Sequence, residues 1–194
     1  MSFETPIGRF TFAQSLGAPI VKEGKDGKSY QQRELVLLLQ ESDDISALEA
    51  AVEEVLKEKF PNGKRPPMSK LKLPIKLTED GVSVKTGEPY AGYEDAHYAV
   101  KLISYREPTL RGPDGKTQID GKDIYNGCYG RVRGFAKWFD FTDDKGVSVS
   151  GIRFILTAVQ KTGEGEPLAV GEMEQMDFAP VKGTEEDAKR KLFG

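Results

Sequence analysis

The sequence has little of what many functional classes require. Its 194 residues contain one cysteine, Cys128, and one histidine, His97. This excludes an internal disulfide, and the pair cannot assemble a zinc site of the Cys/His type. No apolar run approaches the roughly 18 residues that span a bilayer, and the N-terminus lacks the basic and apolar regions of a signal peptide. These absences predict a cytoplasmic protein with no membrane partner, no metal and no other cofactor.

Signatures of catalysis are also lacking. The chain has no G-x-x-x-x-G-K-[ST] phosphate loop, no G-x-G-x-x-G following a strand and no G-x-S-x-G elbow. Two carboxylate pairs, Asp43/Asp44 and Asp143/Asp144, leave a magnesium-dependent nuclease as a hypothesis. Both pairs have structural explanations, because the first precedes a predicted helix and the second lies in a tight turn. We therefore predict a protein that is not an enzyme and has no catalytic residues.

The net charge is small, but the charged residues are unevenly distributed along the chain. The net charge of −3 disfavours binding to a polyanion. Residues 64–76 nevertheless contain five basic residues and no carboxylate, whereas residues 172–187 contain six carboxylates and one lysine. Affinity for phosphate depends on the local field of a groove rather than on whole-chain charge. Nucleic-acid binding therefore stays open.

Frequent glycine and proline, 21 and 11 residues, indicate short strands joined by turns. Apolar patterning predicts strands at residues 6–14, 30–40, 97–106, 127–141 and 146–160. Phe10 and Phe12 should share one face of the first strand. Residues 61–95 and 107–126 are expected to be irregular. Five strands predict a mainly β protein with an OB-like five-stranded β-barrel and long loops.

One amphipathic helix is predicted at about residues 43–60, closing one side of the barrel. Ser42 suits the N-cap, and the two aspartates that follow suit the positive end of the helix dipole. Apolar residues recur at helical spacing on one face, at Ile45, Leu48, Val52, Val55 and Leu56. Periodicity fades near Gly171, so residues 1–171 are expected to form the OB-like domain and residues 172–194 a mobile, charged C-terminal tail.

The extended segment at residues 127–139 carries the most informative pattern. Alternate side chains of a strand lie on opposite faces. One face receives small and apolar residues, namely Cys128, Gly130, Val132, Gly134, Ala136 and Trp138. The other face alternates rings and cations, namely Tyr129, Arg131, Arg133, Phe135, Lys137 and Phe139. The first face suits the inside of a tight barrel, which leaves the second outside.

Alternating rings and cations are typical of proteins that bind single-stranded DNA without sequence preference. Unpaired bases stack on aromatic faces, with about 1–3 kcal/mol for each base. Arginine and lysine between the rings neutralise phosphates and release counterions. A duplex hides its base faces, so exposed rings favour unpaired strands. The alternative, left open here, is an outer barrel face whose rings pack under the helix or a loop.

Weaker indications add residues to this predicted site. Lys101 and Tyr105 lie on the polar side of the strand at 97–106, Arg106 and Arg111 follow in the charged loop, and Arg153 is flanked by apolar residues. For the loop arginines, an ordinary solvated loop is an equal alternative. The predicted nucleic-acid-binding residues are Tyr129, Arg131, Arg133, Phe135, Lys137, Lys101, Tyr105, Arg106, Arg111 and Arg153.

Two motifs resemble a family of phage and prophage proteins. They are Tyr125-Asn126-Gly127-Cys128-Tyr129-Gly130-Arg131-Val132, and Val159-Gln160-Lys161 followed by Gly165-Glu166-Pro167-Leu168. Tyr90-Ala91-Gly92-Tyr93, the helix and the strand around Lys101 follow in the family's order, so the resemblance spans roughly residues 5–170. The family is regarded as OB-fold single-stranded DNA-binding proteins related to the replication proteins of lytic phages.

The resemblance implies that the chain coats and protects unpaired DNA during phage replication and recombination, in the bacterial host cytoplasm. It implies cooperation with a phage or host polymerase, helicase or recombinase, and it is compatible with either a monomer or a homodimer. It also implies that Tyr129 and Arg131 bind DNA. Relatives often end in an acidic tail with a terminal aromatic residue, whereas here the basic Lys189-Arg190-Lys191 follows the last acids. The alternative function is a phage structural or adaptor protein that uses the same barrel face for protein contacts.

Overall fold

The computed structural model describes residues 2–24, 26–83 and 85–169. The predicted tail at residues 172–194 lies outside the described residues. The described strands are β1 (Ser2–Glu4), β2 (Gly8–Thr11), β3 (Ile20–Glu23), β4 (Ser29–Leu39), β5 (Ile75–Leu77), β6 (Tyr98–Ser104), β7 (Thr109–Arg111), β8 (Tyr129–Thr142) and β9 (Ser148–Gly163). One α-helix, α1 (Ser46–Lys59), follows β4. Within these residues, no helix is long and apolar enough to cross a membrane.

Five strands close into a ring, which confirms the predicted mainly β, OB-like architecture. The hydrogen-bonded order is β8–β2–β4–β6–β9, and β9 pairs again with β8. The β6–β9 pair is parallel and the other four pairs of the ring are antiparallel. The longest strands, β8 and β9 with 14 and 16 residues, form a hairpin. This hairpin carries most of the predicted site.

Four short strands outside the ring were not predicted. β1 pairs with β8, β3 with β4, β5 with β6 and β7 with β9. A strand of three or four residues contains too few alternations to stand out from a loop. Two expectations are wrong for this reason: residues 61–95 include β5, and Arg111 ends β7 instead of lying in an irregular loop.

The first predicted strand is shorter than residues 6–14, because the chain turns at Phe12. Phe12 has a φ of 52°, an uncommon value for a residue other than glycine. Phe10 is fully buried in the main core, whereas Phe12 packs against a second cluster and contacts the ring of Tyr90 at 5.3 Å between centroids. The expectation that both phenylalanines share one face is therefore wrong.

The helix begins three residues later than predicted, and Ser42 is not its cap. Ile45 occupies the N-cap position without a side-chain hydrogen bond. Asp44 Oδ1 accepts the Ser46 N–H at 3.0 Å, and Asp43 Oδ2 accepts the Gln40 N–H at 2.7 Å. The two aspartates therefore order the turn before the helix, as acceptors that suit its positive end.

The main core lies inside the ring and beneath α1, which packs against β1 and β8. Its members are apolar residues of the ring strands and the helix, among them Phe10, Leu35, Leu37, Leu48, Leu56, Leu102, Phe154 and Leu156. Cys128 is fully buried in this core, as predicted, and burial raises the pKa of its thiol. Trp138 packs at the core's edge, with its ring 5.4 Å from that of Phe60.

Candidate nucleic-acid interface

Seven side chains on the outer side of β8 form what we call the β8 stripe: Tyr129, Arg131, Arg133, Phe135, Lys137, Phe139 and Phe141. Tyr129, Phe135 and Phe141 are 41%, 37% and 45% exposed. The intervening Gly130, Val132 and Gly134 are buried. The predicted alternation of β8 is therefore confirmed, and the stripe extends two residues beyond the predicted segment, to Phe141.

Two glycines allow this strand to lie close to the core. A Cβ at Gly130 would meet the carbonyl oxygen of Gln160 at 2.3 Å and the ring of Phe10 at 2.4 Å. A Cβ at Gly134 would meet the carbonyl oxygen of Ile155 at 2.5 Å. Distances this short exclude any side chain, so the inner face of β8 is fixed by packing. The cations and rings are thereby fixed on the outer face.

The partner strand β9 changes its alternation along this surface. Arg133 pairs with Ala158, but Gly134 pairs with Leu156, so Thr157 is an extra residue that bulges from β9. Before the bulge the even-numbered Phe154 and Leu156 point into the core, and after it the odd-numbered Val159 does. Period-two reasoning on β9 alone therefore fails across residue 157, whereas the alternation of β8 holds from Tyr129 to Lys137.

Five of the predicted site residues line one groove, with a volume of about 890 Å³: Tyr105, Arg106, Phe135, Lys137 and Arg153. Trp138, Phe139 and Asp140 also line it. The guanidinium of Arg153 lies 4.1 Å from the centroid of the Phe139 ring, and its Nη1 donates a hydrogen bond to Tyr105 Oη at 2.7 Å. Arg153 therefore joins the β6 side of the groove to the β8 stripe.

Tyr30 continues the aromatic surface and was missed by the sequence analysis. It is 40% exposed, and its ring lies 5.8 Å from that of Tyr105, edge to face. Tyr30 begins the second predicted strand, but only the pairing of β4 with β6 brings it beside Tyr105. Sequence spacing gave no signal for this contact.

Arg131 and Arg133 share a carboxylate that the sequence analysis also missed. Arg131 Nη1 donates to Glu4 Oε1, and Arg133 Nε donates to Glu4 Oε2, each at 2.6 Å. Arg131 Nε also donates to Gln160 Oε1 at 2.9 Å. The hydrogen bond from Arg133, together with both positive charges, lowers the pKa of Glu4 below its usual value despite partial desolvation. Two cations and one anion leave this cluster with a net charge of +1.

Arg111 lies in line with this cluster. Its backbone partner on β9 is Gln160, which is in turn the partner of Arg131 on β8. The three residues therefore form one row across β7, β9 and β8. At the start of the stripe, the Arg9 guanidinium lies 6.0 Å from the centroid of the Tyr129 ring.

Lys101 is separate from the groove lining. Its Nζ lies 3.1 Å from Glu34 Oε2, and Lys22 Nζ lies 3.5 Å from the other carboxylate oxygen. Burial of Glu34 opposes ionisation, but the two lysines outweigh it and lower the pKa of the carboxyl group. The charge of Lys101 is thus partly neutralised by its ion pair with Glu34. The structure does not place Lys101 with the other predicted site residues.

In the family-like motif at residues 125–132, the first residues have a structural role. Asn126 Oδ1 accepts the Ala13 N–H, and the Asn126 carbonyl accepts the Leu168 N–H, each at 2.8 Å. Tyr125 Oη donates to Glu164 Oε2 at 2.7 Å, and Gly127 has a φ of 112°. These contacts fasten the segment after β9 to the ring. In this motif, only Tyr129 and Arg131 project from β8 on the outer side.

The second carboxylate pair lies in the turn between β8 and β9. Asp143 Oδ1 accepts the backbone N–H of Lys145 at 2.9 Å and that of Val147 at 2.8 Å. Across residues 2–24, 26–83 and 85–169, no three His, Cys, Asp or Glu side chains are grouped so that they could hold a metal ion. Asp143 is therefore explained as a turn residue, as predicted.

Known proteins resemble this chain in sequence and in fold. The family model described as "Enterobacter phage Enc34, ssDNA-binding protein" matches residues 5–189. No curated protein matches the chain. Among solved structures, the single-stranded DNA-binding protein of bacteriophage Enc34 is similar in a C-terminal truncation, at 16% identity over 86% of this chain and 87% of that chain, with a TM-score of 0.59.

Two further solved structures share the fold. The Enc34 protein in complex with ssDNA has 17% identity over 86% of this chain and 88% of that chain, with a TM-score of 0.56. The gp2.5 single-stranded DNA binding protein encoded by bacteriophage T7 has 13% identity over 95% of this chain and 97% of that chain, with a TM-score of 0.50. At these identities the likeness establishes the fold.

Proposed function

The chain belongs to the family of the Enterobacter phage Enc34 ssDNA-binding protein, and on this premise we propose that it binds and protects unpaired DNA along the β8 stripe and the adjoining groove. The observation that carries this proposal is the solvent exposure of Tyr129 and Phe135 on either side of two arginines. We expect binding to depend little on the DNA sequence, because every base has a face that can stack on an aromatic ring. The protein acts during phage replication and recombination.

Rings and cations perform separate tasks in this proposal. Phe135 and Tyr105 offer ring faces at the groove, while Lys137 and Arg106 meet the phosphates between stacked bases. Arg153 is held by Tyr105 and Phe139, so less conformational freedom is lost when it engages a phosphate. Tyr105, Arg106 and Lys137 are exposed where they line the groove, so a strand can reach them from solvent.

The proposal also covers the wider role of the protein. It is a binding protein without catalytic residues, it works in the bacterial host cytoplasm, and it cooperates with a phage or host polymerase, helicase or recombinase. The alternative of a structural or adaptor protein has no support from the comparisons.

A salt titration tests the proposed function. Oligo-dT and a duplex of equal length are titrated into the protein, and the fluorescence of Trp138, the one tryptophan, reports binding beside the groove. We expect tighter binding to oligo-dT, with log K falling by about 0.7 per neutralised phosphate for each log unit of salt. Failure to bind oligo-dT at low salt would refute the function.

A pair of variants tests the proposed face. Lys137→Ala removes an exposed cation from the groove, and Lys57→Ala removes an exposed cation from α1 as a matched control. We expect the first to lower the salt slope by about 0.7 and the second to leave it unchanged. Equal slopes for both variants would move the interface away from β8.

A further inference from the structure

The basic segment at residues 64–76 approaches the far end of the β8 stripe through Lys72. The Lys72 N–H donates to the Ser150 carbonyl at 3.0 Å, and its own carbonyl accepts the Ile152 N–H at 2.8 Å. These two bonds form a parallel bridge between Lys72 and Gly151 of β9. The backbone of Lys72 is therefore fixed beside the β8–β9 hairpin.

Gly151 makes this close approach possible. A Cβ at this position would lie 2.1 Å from the Lys72 carbonyl oxygen, which no side chain tolerates. The partner of Gly151 on the other side is Phe139 of the β8 stripe. Phe139, Gly151 and Lys72 thus follow one another across neighbouring strands, and the middle position carries no side chain.

The ammonium group of Lys72 lies on the side opposite the core. Its neighbours Leu71 and Leu73 are buried in the core or packed against it, whereas Lys72 is exposed. In the described part of the chain, no hydrogen bond or ion pair engages its side chain. The carboxylate at this end of the groove, Asp140, is already engaged by Trp138 Nε1 at 2.7 Å and by Lys59 Nζ at 3.6 Å.

We propose that Lys72 is a phosphate-binding residue that extends the nucleic-acid interface past Phe139. This inference rests on the proposed function. The bound strand leaves the ring along the hairpin, a base stacks near Phe139, and the adjacent phosphate meets Lys72. Lys72 is thereby the residue of the basic segment that joins the interface.

The experiment compares Lys72→Ala and Lys72→Gln with the control Lys57→Ala in oligo-dT titrations from low to moderate salt. We expect both Lys72 variants to lower the salt slope by about 0.7, and the control to keep the slope of the unmodified protein. Lys72→Gln retains most of the side chain and the backbone bonds, so it covers the case in which the alanine variant folds poorly.

The two proposals fail in different ways. If the unmodified protein binds oligo-dT and the Lys72→Gln slope equals that of the control, the extension is refuted while the function stands. If the unmodified protein itself shows no salt-dependent binding, the proposed function fails. Recovery of the slope in Lys72→Arg would confirm that the charge, rather than the packing of the lysine stem, is responsible.

Discussion

Glu4 allows the sharpest test of how the β8 stripe uses its charge. Its carboxylate accepts hydrogen bonds from both Arg131 and Arg133, so it lies where a DNA phosphate would compete for the same donors. Replacing it by Glu4→Gln removes the negative charge and preserves the size of the side chain. The net charge of the cluster rises from +1 to +2. We therefore expect Glu4→Gln to bind single-stranded DNA more tightly.

The expected gain can be estimated from Coulomb's law. A phosphate about 7 Å from the carboxylate is repelled by about 0.6 kcal/mol in water, which corresponds to roughly threefold in affinity. The value for water gives the smallest expected gain, because the Glu4 side chain is 33% exposed and a lower local dielectric constant would strengthen the repulsion. The gain should shrink as salt rises, since the Debye length falls from about 30 Å at 0.01 M to about 8 Å at 0.15 M. The salt slope should steepen by up to about 0.7.

The assay is a titration with oligo-dT at 0.01–0.15 M salt. Glu58→Gln, on the exposed end of α1, changes the whole-chain charge equally and is the matched control. Acidification gives a second readout. Because the pKa of Glu4 is lowered, its ion pairs persist below the usual pKa of a glutamate, and they are lost as the pH falls through the lowered value. Below that pH, the affinities of the unmodified protein and Glu4→Gln should converge.

One outcome would overturn this reasoning. If Glu4→Gln folds normally but binds DNA more weakly than Glu58→Gln does, the carboxylate positions the two arginines instead of competing with phosphate. The repulsion between the Glu4 carboxylate and a phosphate would then be the smaller of the two effects.

Three further predictions concern the groove and the core. Phe135→Ala should weaken oligo-dT binding by about 1–3 kcal/mol, the value of one stacked base, measured by quenching of Trp138 fluorescence; an unchanged affinity would remove this ring from the interface. Gly130→Ala should destabilise the fold by about 1–3 kcal/mol in denaturant titration, because its Cβ overlaps the ring of Phe10, and unchanged stability would contradict that packing. Cys128 should resist thiol reagents at pH 8 until the protein unfolds, since burial raises its pKa; rapid labelling of the native protein would disprove this.

The candidate site was predictable where it depends on one strand. The alternation of β8 required only the period of two, and packing at Gly130 and Gly134 keeps that period intact. The partners of these residues come from distant segments. Glu4 is 127 positions from Arg131, and Tyr30 meets Tyr105 only through strand pairing, so no local pattern could signal either contact.

The sequence by itself determined the class of fold, the helix α1 and the stripe of rings and cations, because hydrophobic periodicity and glycine placement are local properties of the chain. Only the tertiary structure decided which cations form ion pairs with carboxylates. Arg131 and Arg133 share Glu4, and Lys101 is held by Glu34. The bridge of Lys72 to β9 is likewise decided by the fold. The physical reason is that electrostatic partners are set by distance in space, which a closed ring of strands fixes independently of distance along the chain.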